Sequence, residues 1–219
     1  MAEKTIVLWG IGTMRTLRPL WLAREMGIDY ELKPARPRTG DTHTAEFLEL
    51  NPRHKVPVLC HRNLVLTESA AILNYLCEAF AVPDHFYTPA DAASRAKLNE
   101  WCLFCLTELD SIALYTIRMH GDLTEIYGEA PVAVEAAKQY FHHQIDAMEQ
   151  RLKSATPFLM GDQVSIADII LVSCLDFARA QDLTLPDYLA DYRRSLRRRQ
   201  AYALSYADNY PGRKLDEND

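Results

Sequence analysis

The sequence has no apolar run long enough to cross a membrane, and its first residues, MAEKT, lack the apolar segment of a secretory signal peptide. It also lacks an excess of positive charge, since 24 Lys and Arg stand against 30 Asp and Glu, a formal net charge of −6. A nucleic-acid partner is not expected, because a basic surface would have to be built locally against that background. We therefore expect a cytosolic protein with neither nucleic-acid nor membrane partners.

Cysteine is scarce and unpatterned. The odd number of five argues against a disulfide framework and fits a reducing compartment. Cys102 and Cys105 form a C-x-x-C inside a helical pattern, whereas thioredoxin-type chemistry needs its first cysteine at a helix N-terminus. We interpret both as packing residues. The seven histidines have no metal-ligand spacing, because the adjacent His142 and His143 diverge by about 100° on a helix. No metal is expected.

The most informative stretch spans residues 4–26. Its apolar run from Thr5 to Trp9 predicts a buried strand, two glycines end that strand, and a helical pattern then continues to Gly27. A strand that runs into a helix leaves backbone N–H groups unpaired at the positive end of the helix dipole. The junction around Thr13 and Thr16 therefore predicts a site for an anion.

The first 80 residues predict the element order β-α-β-α-β-β-α. A second strand is predicted at Tyr30–Pro34, a short helix ends near Asn51, a hairpin joins Val56–Leu59 to Leu64–Leu66, and a helix follows. Pro57 lies inside an apolar run and has no N–H to donate to a sheet ladder. Either its strand lies at a sheet edge, or the proline marks a break, of which a cis bond is one form.

The remaining chain predicts a separate helical domain. Two prolines and little periodicity mark residues 82–92 as a linker, so the predicted domains are 1–81 and 93–219. Ser165 and Asp168 form a capping box that begins a nearly continuous apolar, centrally buried helix. A last helix is predicted from residue 189 to about 206, and its arginines, at positions 193, 194, 197, 198 and 199, predict a solvated face.

Four motifs in this order make the chain resemble a soluble glutathione S-transferase over essentially its whole length. They are Arg15–Trp21 in the first helix, Asn51–Leu59 around the proline, Leu66–Leu73 at the third helix, and Gly161–Asp168. The resemblance implies an α/β thioredoxin-like N-terminal domain, β-α-β-α-β-β-α, followed by an all-α C-terminal domain. It also implies glutathione as co-substrate without metal or nucleotide, and a homodimer.

The resemblance places the γ-glutamyl end of glutathione at Glu68 and Ser69. A helix start offers N–H groups, a hydroxyl and the helix dipole to the γ-glutamyl carboxylate. The Glu68 carboxylate can take the ammonium group in a charge-assisted hydrogen bond. On its own, Glu68 could equally be an ordinary cap residue.

The rest of the tripeptide is assigned in the same way. Val56, held by a cis peptide bond before Pro57, turns its N–H and C=O toward the cysteinyl backbone, as an added strand would. Lys55 meets the glycyl carboxylate, with Arg53 and His43 as further candidates. The resemblance thus assigns glutathione binding to Lys55, Val56, Glu68 and Ser69.

The catalytic group follows from the position of Arg18. Family members of the serine or cysteine type place the thiol-activating residue five positions earlier, which here is Thr13. The threonine departs from the usual serine and argues against the cysteine branch. Thr16 is the competing hydroxyl, with a first-turn helix role as its simpler interpretation, and Arg15 is an alternative source of positive charge.

The predicted function is activation of the glutathione thiol as thiolate for attack on a small electrophile, a detoxification chemistry with possible peroxidase or isomerase side activity. Ser111, Tyr115 and Met119 are candidate walls of the electrophile pocket, although the same residues would serve as core or dimer surface. A non-catalytic binding or scaffold module of this fold is the alternative. A dinucleotide fold is disfavoured because Arg15 replaces the third glycine of its fingerprint.

Overall fold

The short apolar runs of the first seventy residues pair into one four-stranded sheet. In this computed structural model, which describes residues 6–154 and 157–215, the strands are β1 (Ile6–Trp9), β2 (Tyr30–Lys33), β3 (Val58–His61) and β4 (Leu64–Thr67). Their spatial order is β2-β1-β3-β4. β1 runs parallel to β2 and antiparallel to β3, which is antiparallel to β4. Residue 5 of the first predicted strand lies outside the described residues.

Helices complete the predicted order. The N-terminal region contains α1 (Met14–Glu25), a 3₁₀ turn (Asp41–His43), α2 (Ala45–Leu50) and α3 (Ser69–Ala79). The helices that follow are α4 (Ala92–Leu103), a π-helix (Phe104–Leu114), α5 (Tyr115–Gly121), α6 (Thr124–Tyr127), α7 (Pro131–Ala147), α8 (Glu149–Ser154), α9 (Ile166–Ala180), α10 (Asp187–Arg197) and α11 (Gln200–Asn209). The order β-α-β-α-β-β-α followed by helices is confirmed.

The chain divides into two units. One comprises the residues up to Phe86 together with those from Arg194 onward, and the other comprises Tyr87–Arg193. In the first, α1 contacts both α3 and α11. The Trp21 ring meets the Tyr202 ring edge-on at 4.9 Å, and both side chains are fully buried. The sequence-based boundaries assigned α11 to the second domain, and those boundaries stay a prediction.

The third strand begins later than predicted. β3 starts at Val58, and the Val56–Pro57 peptide bond just before it is cis. Because β3 lies between β1 and β4, the edge-strand explanation of Pro57 is wrong. The proline, which has no N–H to give, precedes the ladder instead of interrupting it.

The second unit surrounds α9. Every residue of α9 from Ile166 to Ala178 is buried, and the helix contacts α4 and the π-helix. The predicted capping box is present, since the Ser165 hydroxyl accepts from the Asp168 N–H and the Asp168 carboxylate accepts from the Ser165 N–H at 2.7 Å. The same carboxylate accepts from Leu159 N–H at 2.8 Å and from the Tyr192 hydroxyl.

The prediction of a solvated arginine face is wrong for Arg193 and Arg197, which are buried, whereas Arg198 is exposed. The last helix is two helices, α10 and α11, because Arg199 between them has an extended backbone (φ −67°, ψ 135°). Arg193 is buried and donates to the buried Asp176 at 2.6 Å, and Arg197 is also buried. Arg199 binds the buried Glu25 carboxylate through two nitrogens. Buried carboxylates on other helices, which charge patterning along one helix cannot reveal, recruit these side chains.

Replacing Ser165 by Ala is expected to lower the free energy of unfolding by about 1–2 kcal/mol. The change leaves the Asp168 N–H and carboxylate with one hydrogen bond fewer in a site from which water is excluded. Urea unfolding monitored by circular dichroism measures it. The exposed Thr107, whose hydroxyl donates to Leu103 C=O, is the control, and Thr107→Ala is expected to cost less than about 0.5 kcal/mol. Equal effects of the two substitutions would contradict a stabilising buried cap.

Candidate functional site

The register of the sheet brings the predicted site segments to one edge. Trp9, the last residue of β1, pairs with Val58, the first residue of β3, and Val58 pairs in turn with Thr67, the last residue of β4. The segment after β1, the segment before β3 and the segment after β4 therefore leave the sheet at the same end. These three segments carry Thr13, Val56 and Glu68–Ser69.

Gly10 allows two of these segments to approach closely. Its φ is +118°, and a Cβ built on it would lie 2.6 Å from Val56 Cβ and 2.8 Å from Thr16 Cγ2. Any side chain at this position would push Val56 away from the start of α1. Gly12 also has a positive φ, +82°, but a Cβ there would meet no atom within 4 Å.

Thr13 and Thr16 cap the start of α1 for each other. Thr13 is the N-cap residue, and its hydroxyl oxygen accepts from Thr16 N–H at 3.0 Å, while the Thr16 hydroxyl oxygen accepts from Thr13 N–H at 3.1 Å. Thr16 is 1% exposed, so its hydroxyl faces the protein interior. Thr13 and Arg15 are half-buried. Of the two hydroxyls, only that of Thr13 is accessible to a ligand at the helix N-terminus.

Asn209, which sequence reasoning missed, binds this junction from α11. Its side-chain oxygen accepts from the Thr16 hydroxyl at 2.6 Å and from Gly12 N–H at 3.1 Å, and its amide nitrogen donates to Thr13 C=O at 2.9 Å. Asn209 is fully buried. A single asparagine near the end of a helix, almost 200 residues from its partners, has no local sequence signal.

Asn51 orders the segment before β3 in a comparable way. Its buried side chain donates to Lys55 C=O at 2.8 Å and accepts from Arg53 N–H at 3.1 Å. Within the part of the chain that the structure describes, the N–H and C=O of Val56 make no hydrogen bond. Val56 thus offers one donor and one acceptor next to Thr16. The ammonium group of Lys55 is exposed.

Glu68 and Ser69 stand at the start of α3. Glu68 has φ +67°, a conformation that costs a non-glycine residue about 1–3 kcal/mol, and its side chain does not cap the helix. Its carboxylate is exposed and binds Arg53 at 2.9 Å. Ser69 is buried, and its hydroxyl oxygen accepts from the buried Arg18 guanidinium at 3.1 Å. The Ser69 hydroxyl proton is therefore directed to another acceptor.

His43 lies farther along the same edge, after β2, and has a partner that the sequence did not indicate. Its ring stacks on that of His54 with the centroids 4.3 Å apart. His54 Nδ1 lies 2.8 Å from Thr42 C=O and His43 Nδ1 lies 3.3 Å from Thr39 C=O. Because a carbonyl only accepts, each Nδ1 carries a proton in these contacts, and each Nε2 faces away from them.

The predicted electrophile residues belong to the second unit. Ser111 is an exposed residue of the π-helix, whereas Tyr115 and Met119 are half-buried in α5. The Tyr115 hydroxyl lies 3.5 Å from that of Tyr127. The helical pattern that contains Cys102 and Cys105 passes from α4 into the π-helix, after which Tyr115 N–H bonds to Asp110 C=O, five residues back. Their role toward an electrophile stays a prediction.

The chain's own thiols are poor nucleophiles. None of the five cysteines, all of which lie within the described residues, forms a disulfide, and Cys102, Cys105 and Cys174 are buried. Burial raises the pKa of the Cys60 thiol and raises the pKa of Cys77 to about 12. Since nucleophilic attack requires thiolate, Cys60 and Cys77 are poor nucleophiles at neutral pH.

In residues 6–154 and 157–215, no three His, Cys, Asp or Glu side chains are grouped so as to hold a metal ion. No helix in these ranges combines the length and apolar character of a membrane span.

Comparison with known proteins identifies relatives over both units. Residues 4–78 match the family model Glutathione S-transferase, N-terminal domain, and residues 131–198 match Glutathione S-transferase, C-terminal domain. Human glutathione S-transferase theta-2 is 32% identical over 158 residues, which cover 68% of this chain and 61% of that protein. The match thus spans less than two thirds of that relative.

Two other relatives are matched over a larger share of their own length. A probable maleylacetoacetate isomerase of Vibrio cholerae is 30% identical over 179 residues, 78% of this chain and 80% of that protein. The crystal structure of a glutathione transferase from Methylococcus capsulatus superimposes with a TM-score of 0.79 at 26% identity, covering 93% of this chain and 98% of that one. The thioredoxin-like N-terminal fold with a helical C-terminal domain is thereby confirmed.

The two glycines of the junction provide a matched test of the close approach. Gly10→Ala is expected to lower the free energy of unfolding by about 2–4 kcal/mol, because backbone strain adds to a clash with Val56 and Thr16. Gly12→Ala introduces backbone strain but no clash, and it is expected to lower the free energy of unfolding by about 1 kcal/mol. Urea unfolding of both variants measures the difference. Equal costs would mean that Gly10 is required for its backbone conformation alone.

Proposed function

This chain belongs to the glutathione S-transferase family, and on that premise we propose that it activates the thiol of glutathione as thiolate for attack on a small electrophile. One observation carries the proposal. A hydroxyl at a helix N-terminus, Thr13, shares a sheet edge with a free backbone donor and acceptor, Val56, and with the start of α3 at Ser69.

The γ-glutamyl end of glutathione is proposed to bind at Glu68 and Ser69. Ser69 accepts from Arg18 and so keeps its proton for a carboxylate, while the N–H groups of the first turn of α3 point the same way. The exposed Glu68 carboxylate receives the ammonium group. Arg53 neutralises that carboxylate in the free protein, and their ion pair is exposed and therefore weak, about 0–1 kcal/mol.

The cysteinyl and glycyl parts are proposed to extend along Val56 and Lys55. The unpaired N–H and C=O of Val56 suit the backbone of an added strand. The exposed Lys55 ammonium supplies the charge for the glycyl carboxylate. His43 and Arg53 lie on the same edge as additional donors, and His43 acts as a donor through Nε2 only when its ring is protonated.

Thiolate stabilisation is proposed for the Thr13 hydroxyl. A free cysteine thiol has a pKa of about 8.5. Lowering this pKa by ~2 units requires the site to stabilise the thiolate over the thiol by ~2.7 kcal/mol. A hydroxyl donating to a charged acceptor supplies roughly 1.5–3 kcal/mol, and the helix N-terminus supplies up to about 1 kcal/mol. The hydroxyl and the helix N-terminus together therefore supply enough stabilisation of the thiolate for this change in pKa. The threonine methyl group, absent from serine, narrows the approach to the sulfur.

The electrophile is a small molecule whose class the binding edge does not specify. Aryl halides, epoxides, peroxides and maleyl-type isomerisation substrates all use the same thiolate, and the isomerase name of the Vibrio cholerae relative adds weight to the last class. The alternative function is a binding or scaffold module that holds glutathione without turnover. Titration of the bound thiol separates the two, because a scaffold has no need to lower its pKa.

The protein is further proposed to be a homodimer and to be located in the cytosol. Membership of the family is the main support for the dimer and for the location. In addition, β4 is an edge strand of the sheet and exposes Leu64 and Val65, at 36% and 45%. Light scattering coupled to gel filtration measures the mass, and a value near 25.0 kDa at micromolar concentration would contradict the dimer.

Thr13→Ala is expected to raise the pKa of bound glutathione by about 1–2 units and to reduce kcat/KM at pH 6.5 about 10- to 100-fold. The physical reason is the loss of the hydroxyl donor to the thiolate. Ultraviolet absorbance of the thiolate across pH 5–9 measures the pKa. Thr13→Ser, which keeps the hydroxyl, serves as the control and is expected to retain a lowered pKa. An unchanged pKa in Thr13→Ala would transfer the role to another group, with Arg15→Gln as the next variant.

Lys55→Met is expected to weaken glutathione binding about tenfold, the effect of losing one partly solvated charge pair. The matched ligand is glutathione monoethyl ester, in which the glycyl carboxylate is esterified and carries no charge. Calorimetry should find that it binds the wild type and Lys55→Met with equal affinity. If the substitution weakens both ligands equally, Lys55 acts on some other part of the molecule.

A further inference from the structure

Asn209 makes a dense set of polar contacts around Thr13. Its backbone C=O accepts from Gly12 N–H at 2.8 Å, in addition to the three side-chain bonds to Gly12, Thr13 and Thr16. Both ends of its carboxamide are used, and the side chain is fully buried. A helix cap needs none of this, since Thr13 and Thr16 already complete the capping box of α1 by themselves.

The hydroxyl protons show what the carboxamide contributes. The Thr16 hydroxyl has one proton and two neighbouring carbonyl acceptors, Asn209 Oδ1 at 2.6 Å and Thr13 C=O at 2.8 Å. Thr13 C=O already accepts from the Asn209 amide and from Leu17 N–H, so Asn209 Oδ1 is the acceptor for Thr16. The Thr16 hydroxyl proton thus points away from the Thr13 hydroxyl oxygen, which lies 3.0 Å from the Thr16 hydroxyl oxygen.

This arrangement leaves the Thr13 hydroxyl as a donor. Its oxygen accepts from Thr16 N–H, and its own proton has Thr16 Oγ1 as its nearest acceptor in the absence of ligand. A bound thiolate is a charged and therefore stronger acceptor than that neutral oxygen. The polarised chain from Thr13 through Thr16 to Asn209 orients the Thr13 side chain before the thiolate arrives.

Helix α11 holds Asn209 rigidly. Arg199, immediately before the helix, binds the Glu25 carboxylate with two nitrogens at 2.6 and 2.8 Å. Asp208, next to Asn209, accepts from Arg24 at 2.8 Å and from the Tyr30 hydroxyl at 2.5 Å. The helix therefore has an ion pair with α1 at each end, and at its C-terminal end it also accepts a hydrogen bond from β2.

We propose that Asn209 is a positioning residue for Thr13, through which the C-terminal helix sets the geometry of the thiol-activating hydroxyl. The inference rests on the proposed function, because it presupposes that Thr13 donates to the thiolate of glutathione. Asn209 itself touches no substrate atom. Removal of the Asn209 side chain lets the Thr16 hydroxyl rotate and removes a hydrogen bond from Thr13 C=O. The Thr13 hydroxyl then loses its orientation, while the groups that bind the tripeptide remain in place.

The test compares Asn209→Ala with Ser205→Ala in the full-length chain, using glutathione as the probe. Ser205 is another fully buried polar residue of α11, and among the described residues its hydroxyl donates to Ala201 C=O within the helix and to no other group. Asn209→Ala is expected to reduce the thiolate fraction at pH 6.5, and with it kcat/KM, about three- to tenfold. Its glutathione Kd is expected to change less than about twofold. Ser205→Ala should lower the melting temperature and leave the thiol pKa unchanged.

Asn209→Asp provides a second, isosteric variant if Asn209→Ala does not fold. It keeps the acceptor oxygens but loses the donor to Thr13 C=O and adds negative charge, so the thiol pKa should rise further than in Asn209→Ala. A wild-type thiol pKa in either variant, with only the melting temperature lowered, would overturn the positioning role. A wild-type protein that binds glutathione with an ordinary thiol pKa would overturn the proposed function itself, which is a different result.

Discussion

The packing contact on which the proposed site most depends is that of the Gly10 backbone with the side chains of Val56 and Thr16. No side chain fits between them, so the backbone that follows β1 packs directly against the side chain of Val56, just before β3, and against that of Thr16 in α1. This packing brings the segment that leads into α1 next to Val56, whose N–H and C=O make no hydrogen bond within the described residues. The sheet register then adds the start of α3 at the same edge. The positions proposed for Thr13 and Val56 depend on this packing, and those proposed for Glu68 and Ser69 depend on the sheet register.

The composition of this edge supports the proposal that the reacting sulfur belongs to a bound molecule and not to the protein. It offers donors, namely helix N-termini, hydroxyls and the cations Arg53 and Lys55, and such an environment favours an anion. The protein's own cysteines are elsewhere and are buried or have raised pKa values. An anionic peptide that carries a thiol supplies what the edge lacks, and the proposed function places its sulfur next to the Thr13 hydroxyl.

Local patterns predicted the elements well and their long-range partners poorly. The capping box at Ser165, the hairpin, and the helix that follows Thr13 each have their signal within a few residues, and the structure has all three. The burial of Arg193 and the contacts of Asn209 could not be predicted, since each depends on a carboxylate or loop far away in the chain. Sequence periodicity describes one element at a time and contains no information about which distant group it meets.

The most direct measurement is the crystal structure of this protein with glutathione bound at neutral pH. If Thr13 activates the thiol, the sulfur lies within hydrogen-bond distance of Thr13 Oγ1, with the γ-glutamyl carboxylate on Ser69 and the cysteinyl backbone paired with Val56. A sulfur that contacts Arg15, or that faces solvent away from the start of α1, would contradict activation by Thr13. The position of one atom therefore decides the central claim.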